Sequence, residues 1–273
     1  MRMNRVRSRR SLAALAAVAA VVAVPSLAPD SAGAAPQSVS PPPAHAGFDY
    51  QIGGPYTPPA GVSVVSRDYT APAAAGVYNI CYVNAFQAQE GAEGQWDADL
   101  LLRDSKGAVV KDKDWNEAIL DIRTADKRQR IAAKVNGWVD QCAAKGFQGV
   151  EPDNFDTYDR FSGYLTKAEA ESYIKLLSAH AHSKNMAIAQ KNTPQLSGDR
   201  VANGLDFAVA EECATYNECG DYTSGFGNNV IVIEYTAKGL QKACSGYGTK
   251  LSVVRRDVDV VPLGTSGYVR QTC

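Results

Sequence analysis

From about residue 48 onward, the chain alternates between two patterns of apolar positions. Short runs rich in β-branched residues have strand length, and between them apolar residues recur at helical spacing, as at Ile131, Val135 and Val139. Thr166 and Glu169 have the spacing of a capping box at the start of another helix. This alternation predicts parallel strands joined by crossover helices. The nine candidate strands are YQIGG (50–54), VSVVS (62–66), VYNICYV (77–83), AILDI (118–122), FQGVE (147–151), MAIAQ (186–190), FAVAE (207–211), VIVIE (230–234) and KLSVVR (250–255).

The length of this region predicts one α/β domain. Residues 48–273 contain no second linker, and about 225 residues is close to the usual size of a (β/α)8 barrel. Nine candidate strands are one too many for a closed eight-stranded barrel, so one of them is expected to lie outside it. A doubly wound open sheet is the alternative, but GFGNNV (225–230) lacks the third glycine of a dinucleotide-binding loop, and no Walker motif occurs. We therefore predict a single-domain TIM barrel.

The first 34 residues predict a secretory signal peptide. Five arginines precede the apolar run Leu12–Val24, and a stretch of small residues ends near Ala34. The apolar run is shorter than the roughly 20 residues that a membrane span needs. The segment SRRSLAAL (8–15) leaves twin-arginine export open beside the general route. Residues 35–47 are rich in Pro, Ser and Ala and predict a linker, so we expect a secreted, monomeric protein without a membrane span.

The cysteine content fits this compartment. Six cysteines form no CxxC pair, which predicts three disulfides in a secreted chain. Sequence alone allows 15 pairings. The pairing that we favour is Cys81–Cys142, Cys213–Cys219 and Cys244–Cys273.

Charge narrows the choice of partner. The leader holds five arginines and Asp30, so its removal leaves 23 basic against 28 acidic residues and a formal charge of −5. This balance argues against nucleic acid as a partner. A mild acidic excess favours a cationic ligand if the charges gather in one cleft.

Polar residues end seven of the predicted strands. In a parallel barrel the active site forms at the C-terminal ends of the strands, so these positions are candidate site residues. Side chains alternate along a strand, so that only one of Glu211 and Glu212 faces the barrel axis, and the parity does not say which. The candidates are Asp68, Asn84, Asp121, Arg123, Glu151, Asp153, Lys191, Asn192, Glu211, Glu212, Glu234 and Tyr235.

Other catalytic chemistries find little support. The chain has three histidines: His45 lies in the predicted linker, while His180 and His182 are two apart on a helix and do not share a face. A histidine metal cluster or a Ser-His-Asp triad is therefore not expected, and no GxSxG elbow occurs. We expect neither a metal nor a cofactor. Paired carboxylates remain, which are the catalytic groups of glycoside hydrolases.

Seven motifs in order resemble glycoside hydrolase family 114, and together they cover nearly all of residues 48–257. The resemblance implies a (β/α)8 barrel and endo-α-1,4-polygalactosaminidase activity, the hydrolysis of chains of α-1,4-linked galactosamine. The motifs are FDYQIGGPY (48–56), VYNICYVNAFQ (77–87), EAILDIRT (117–124), GFQGVEPDNFD (146–156), AQKN (189–192), EECATYNEC (211–219) and VIEY (232–235).

Site residues follow from the resemblance position by position. The family's catalytic aspartate, after its fifth strand, falls on Asp153, and the glutamate of its N-E-x-C-like motif falls on Glu211. Ala210 replaces the usual asparagine, which puts one orienting hydrogen bond in doubt. We predict retention, with Asp153 as nucleophile and Glu211 as acid/base through a raised pKa. Glu151 is either a subsite residue or a buried ion-pair partner.

The implied substrate is a polycation, because de-N-acetylated galactosamine carries an ammonium group. Several carboxylates would line the cleft and meet these groups, and Arg123 and Lys191 would offset part of their charge. Two alternatives stay open: a glycosidase of the same fold that acts on another amino or acidic polysaccharide, and a barrel that binds polysaccharide without cleaving it. The further substrate-binding candidates are Tyr82, Asn154 and Asp156, beside the strand-end residues.

Overall fold

The computed structural model describes residues 39–273, so the predicted signal peptide lies outside the described residues. In chain order the strands are β1 (Phe48–Gln51), β2 (Val64–Asp68), β3 (Tyr78–Asn84), β4 (Gln87–Ala88), β5 (Lys111–Asp112), β6 (Glu117–Ile119), β7 (Gly149–Asp153), β8 (Ala187–Lys191), β9 (Phe207–Glu211), β10 (Val230–Glu234), β11 (Ser252–Arg256) and β12 (Arg270–Thr272). The helices are α1 (Ala125–Lys145), α2 (Thr157–Arg160), α3 (Lys167–Ser183), α4 (Arg200–Asn203), α5 (Cys213–Tyr216), α6 (Cys219–Phe226) and α7 (Ala237–Tyr247).

Eight parallel strands form a nearly closed barrel, which confirms the predicted TIM-barrel fold. Their order is β1-β2-β3-β7-β8-β9-β10-β11, and β12 adds to β11 in the antiparallel direction. Side chains inside the barrel alternate with those that face the helices, as the strand period requires. Phe48, Tyr50, Phe207, Val209 and Ile233 belong to the buried interior cluster.

One of the nine candidate strands, AILDI (118–122), lies outside the barrel. Its first residues belong to β6, which pairs antiparallel with β4 and β5 in a small three-stranded side sheet. All of its strand partners in the described residues run antiparallel to it, whereas neighbours in the barrel run parallel. Asp153 therefore ends the fourth strand of the barrel, although its run is the fifth of the candidate strands.

The long helices begin and end where the sequence signals them. The Thr124 side chain accepts a hydrogen bond from the Lys127 backbone at the start of α1, and Gly146 ends that helix with a left-handed φ of 86°. Thr166 and Glu169 form the predicted capping box of α3. Both helices bury apolar faces in the main hydrophobic cluster. Within the described residues, no helix has the length and hydropathy that a membrane crossing requires.

Charged side chains close the seam where β11 approaches β1. Within residues 39–273, β11 pairs with β10 and β12 and not with β1. Arg270 donates to the Phe48 carbonyl (3.0 Å) and lies 3.2 Å from Asp49, while Arg256 lies 3.8 Å from the same carboxylate. We call Asp49, Arg256 and Arg270 the seam cluster. Its members replace backbone pairing between the two strands.

Three disulfides join the elements in the pairing that we favoured. Cys81–Cys142 links β3 to α1. Cys213–Cys219 joins the helices α5 and α6, which follow β9. Cys244–Cys273 links α7 to the residue after β12.

Residues 39–47 of the predicted linker contact the barrel. Val39 and Ala46 pack against the interior cluster, and the Tyr78 hydroxyl donates to the Ser40 carbonyl (2.8 Å). The His45 Nε2 lies 2.9 Å from the Gly248 carbonyl oxygen. This part of the chain therefore lies along the barrel.

Candidate active site

Lys191 is a fully buried cation at the end of β8. Its Nζ lies 2.9 Å from Glu151 Oε1, 3.2 Å from Asp153 Oδ1 and 3.4 Å from Glu211 Oε2. Burial alone would lower the pKa of Lys191, but the attraction of the three carboxylates outweighs burial and holds this pKa well above its usual range. We call Lys191 and these three carboxylates the acidic cluster. It carries one positive charge against three acidic groups.

Asp153 ends β7 and is partly exposed to a cavity. The Tyr82 hydroxyl donates to its Oδ2 at 2.6 Å. Burial raises the pKa of this carboxyl, but Lys191 and Tyr82 stabilise its charged form and hold the pKa below the ordinary value. Asp153 is therefore an ionised group with one face open to the cavity.

Glu211 ends β9, and two side chains donate to its carboxylate. The Tyr235 hydroxyl donates to Oε1, and the Asn192 amide donates to Oε2 at 3.0 Å. Asn192 also accepts from the Glu211 backbone N–H at 2.9 Å. Ala210 cannot supply an orienting amide, and in this chain Asn192 of the neighbouring strand end contacts the carboxylate instead.

The shared ammonium limits the distance between the two candidate catalytic carboxylates. Because Lys191 Nζ lies 3.2 Å from one oxygen and 3.4 Å from the other, these oxygens are separated by at most the sum of the two distances, about 6.6 Å. Retaining glycosidases hold their carboxyl groups about 5 to 5.5 Å apart and inverting ones roughly 6.5 to 9.5 Å apart. The bound applies to the two oxygens that face Lys191 and not to the separation of the whole carboxyl groups, so it does not by itself distinguish the two ranges.

Glu151 lies beneath the cavity and is fully buried. It accepts hydrogen bonds from the Tyr50 hydroxyl (2.9 Å) and the Ser66 hydroxyl (2.6 Å) as well as the contact from Lys191. All of these partners are themselves buried. Of the two interpretations offered for Glu151, these contacts are those of a buried ion-pair partner.

Two adjoining cavities form a cleft above the acidic cluster. The smaller measures about 260 Å³ and the larger about 800 Å³. Their shared wall includes Trp115, Asp156, Arg160, Asn192 and Glu211. The candidates from the sequence that line one or both cavities are Tyr82, Asp153, Asn154, Asp156, Asn192, Glu211, Glu212 and Tyr235.

The loop after β7 is held by an arginine and an amide. Asn154 adopts a left-handed φ of 65°, and its side chain donates to Asn84 Oδ1 at 3.0 Å. Arg160 donates to Asn154 Oδ1 at 2.8 Å and pairs with Asp156 at 3.0 Å. Burial raises the pKa of Asp156, and Arg160 offsets only part of that effect. Asn154 and Asp156 thus belong to the loop that follows Asp153, and Asn84 at the end of β3 helps to hold that loop.

Glu211 and Glu212 part at a sharp turn of the backbone. Glu212 has a φ of 55°, in the left-handed region that side chains with a Cβ seldom occupy. Glu211 contacts Lys191, while Glu212 lines the larger cavity. Burial raises the pKa of Glu212, and the nearby Glu234 and Glu211 add to it.

Besides Asn84, Glu151 and Lys191, four further candidates do not line the two cavities. Asp121 pairs with Arg123 (2.7 Å) beside a separate surface cavity, because both residues follow the side-sheet strand β6 and not a barrel strand. Glu234 is fully buried and accepts from the backbone N–H of Ala214 (2.9 Å), since its side chain faces α5. Asp68 accepts from the Thr70 backbone N–H in the loop after β2.

Residues that the sequence did not single out complete the cleft. Trp115 is 52% exposed, and Tyr216 and Tyr222 line the larger cavity. Glu117 lines the smaller cavity with Asp153. Burial raises the pKa of Glu117 to about 7; the hydrogen bond from Asn84 opposes this shift, and repulsion by Asp153 adds to it. Glu117 begins the EAILDIRT motif, and this position was the one sequence signal for it.

Known proteins resemble this chain in sequence family and in fold. The structure is similar to that of Aspergillus fumigatus Ega3 in complex with galactosamine, at 24% identity over 88% of this chain and 99% of that one, with a TM-score of 0.69. It also resembles the glycoside hydrolase domain of PelA from Pseudomonas aeruginosa, at 11% identity over 81% and 97% of the two chains, with a TM-score of 0.52. No curated protein matches the sequence. The model of glycoside-hydrolase family GH114 matches residues 28–273, and the chain therefore belongs to this family.

Proposed function

We propose that this protein is a secreted endo-α-1,4-polygalactosaminidase that cleaves galactosamine chains with retention of configuration. The observation that carries the proposal is the pair Asp153 and Glu211, which flank one buried ammonium at the floor of an open cleft. Membership of family GH114 supports glycoside hydrolysis. The structurally similar Ega3 was solved with galactosamine, which suggests the sugar.

In the first half of the reaction, the ionised Asp153 attacks the anomeric carbon. Glu211 gives its proton to the glycosidic oxygen that leaves, and a covalent glycosyl-enzyme forms. Lys191 and Tyr82 orient Asp153 and hold it in the charged form.

In the second half, Glu211 takes a proton from a water molecule as the oxygen of that water attacks the anomeric carbon. The bond to Asp153 breaks, and both carboxyl groups return to their starting states. Tyr235 and Asn192 keep Glu211 aimed at the same position in both steps. The bound of about 6.6 Å between the two oxygens that face Lys191 is compatible with this two-step course.

The cleft also suits a cationic substrate. Asp156, Glu212 and Glu218 line the larger cavity beside Glu211. Acidic groups in a cleft with low-dielectric walls focus the field and raise the local concentration of cations. Three disulfides and the predicted leader support secretion, because disulfides persist in oxidising compartments.

A reducing-end assay on a panel of hexosamine polymers tests the proposal. We expect the enzyme to cut free-amine α-1,4-galactosamine polymer and to cut the fully N-acetylated form far more slowly. The Asp153→Asn variant is the matched control, because it keeps the shape of the side chain. NMR of the first product should show the α-anomer. Preference for another polymer would replace the substrate, and a first product in the β-form would replace retention by inversion.

A further inference from the structure

Glu117 reaches the cleft from outside the barrel. It is the first residue of β6 in the side sheet, and its half-buried side chain lines the smaller cavity with Asp153 and Trp115. The side sheet is attached through β4, which begins three residues after β3 ends and pairs with β6. An insertion in the fold therefore brings an additional carboxylate into the cavity.

Amide groups are the hydrogen-bond donors to Glu117. The Asn84 amide donates to Glu117 Oε2 at 2.8 Å, and Gln87, with its amide turned to satisfy its neighbours, donates to the same oxygen at 3.0 Å. Asn84 is itself held by Asn154. These contacts orient the carboxyl group, and both of them use Oε2.

Glu117 differs from the other carboxylates of the smaller cavity in its charge partners. Asp153 and Glu211 share Lys191, and Asp156 pairs with Arg160. Across residues 39–273, no lysine, arginine or histidine nitrogen lies within the 4.0 Å of an ion pair from Glu117. A partly buried carboxylate without a cation is a site at which a cationic ligand group gains a strong hydrogen bond.

We propose that Glu117 binds an ammonium group of the substrate in the smaller cavity and thereby selects a free-amine sugar beside Asp153. The inference rests on the proposed function, since it assumes an amino sugar as substrate. Glu117 is a specificity residue in this scheme, and the bond-breaking steps stay with Asp153 and Glu211. Trp115, half-exposed at the same wall, offers a flat apolar face to the sugar ring.

The groups around Glu117 make this contact dependent on pH. Burial raises its pKa to about 7; Asn84 of β3 lowers this value, Asp153 of β7 and Asp112 of β5 raise it, and Arg160 of α2 lowers it. Glu117 is thus ionised and able to pair with a cation above about pH 7, and it is neutral in more acidic solution. A bound ammonium group favours the ionised form and extends binding to lower pH.

The decisive experiment compares Glu117→Gln with the unaltered enzyme in steady-state kinetics on α-1,4-linked galactosamine oligomers. Loss of one charged hydrogen bond should raise KM roughly 10- to 100-fold, with kcat nearly unchanged. Glu117→Asp, which keeps the charge, should recover part of the affinity. Glu93→Gln is the matched control, since Glu93 lies on the same insertion and pairs with Lys111 instead of facing the cavity.

Binding without turnover separates this inference from the proposed function. Calorimetry of the oligomer with Asp153→Asn should show weaker binding when Glu117→Gln is added, and the double variant should lose the pH dependence near 7. Thermal melting reports whether each variant folds. If Asp153→Asn does not bind the oligomer at all, the proposed function fails. If it binds and Glu117→Gln changes nothing, or if kcat alone falls, only the role of Glu117 is overturned.

Discussion

The acidic cluster and the seam cluster both combine carboxylates with cationic side chains. Carboxylates are in the majority in the acidic cluster, and cations are in the majority in the seam cluster. The acidic cluster sets three carboxylates around the ammonium of Lys191, and two of them reach the cavity. The seam cluster sets two guanidinium groups around the carboxylate of Asp49, which is fully buried. Surplus buried charge is costly unless other groups satisfy it.

The excess charge of each cluster is compensated in a different way. At the seam, Arg256 also pairs with Asp257 (3.4 Å), and the two guanidinium groups donate to backbone carbonyls, including those of Phe48, Val261 and Val269. At the acidic cluster, the surplus negative charge faces the cleft, where water or a cationic substrate meets it. The seam cluster therefore holds strands together, whereas the acidic cluster is open to a ligand. Four predictions follow from this difference.

The largest effect is expected in the acidic cluster. Asp153→Asn and Glu211→Gln should each lower kcat at least about 10²- to 10⁴-fold, because they remove nucleophilicity or proton transfer while they preserve shape. Circular dichroism should remain native. Near-native activity of Glu211→Gln together with loss in Glu212→Gln would transfer the acid/base role to Glu212.

Replacing one buried cation in each cluster should show that the two clusters differ in function. Lys191→Met removes the cation that Glu151, Asp153 and Glu211 share, whereas Arg256→Met leaves Asp49 paired with Arg270. Breaking a buried ion pair typically costs about 3 to 5 kcal/mol, so Lys191→Met should lower the free energy of unfolding by about this much and Arg256→Met by less. Denaturant titration measures this loss. Lys191→Met should also abolish turnover, while folded Arg256→Met should keep a nearly native kcat. Equal loss of kcat in both variants would contradict the division between an open and a structural cluster.

Two of the disulfides should differ in their effects on stability and activity. Replacement of Cys244 and Cys273 by serine opens a loop of 29 residues beside the seam, and the same change at Cys213 and Cys219 opens one of 6. A disulfide typically contributes about 2 to 4 kcal/mol, and more for a longer loop, so the first double variant should have the lower Tm. The second should lose more activity, because its loop follows Glu211.

Alkylation of the unfolded, unreduced protein should label no thiol, and any labelled pair would contradict three bridges.

The smallest effect is expected from salt. Ionic strength screens exposed charges beyond about 8 Å at 0.15 M, so added salt should lower kcat/KM on the free-amine polymer more than kcat. Arg256→Met should show the same salt dependence as the unaltered enzyme, since its charge is buried. The absence of any salt effect would remove the electrostatic part of substrate capture.

The barrel strands were predictable because each is a short apolar run between turn signals. The run AILDI has the same appearance, and only its antiparallel pairing with β4 places it outside the barrel. The last strand, β12, escaped prediction because it is short, polar and largely exposed. Strand length and hydrophobicity are local properties, whereas membership of a sheet depends on distant partners.

The site was predictable where strand alternation decides it. Lys191 and Glu211 share the interior face with Ala189 and Val209, two positions before them, and Asp153 shares it with Glu151, so the three meet at the barrel mouth. Glu234 occupies the opposite parity and turns to α5. Glu117 could not be placed from sequence, because its strand belongs to an insertion whose docking depends on tertiary contacts.

The seam also sets the order in which this chain can fold. The hydrogen bond from Arg270 to the Phe48 carbonyl joins positions 222 residues apart. Contacts between residues so distant in sequence form late, because the intervening chain must lose conformational entropy before the contact contributes stabilising free energy. Barrel closure therefore waits until residue 270 has left the ribosome. A chain exported unfolded would complete its barrel only outside the cell, where Cys244 and Cys273 can be oxidised around the finished seam.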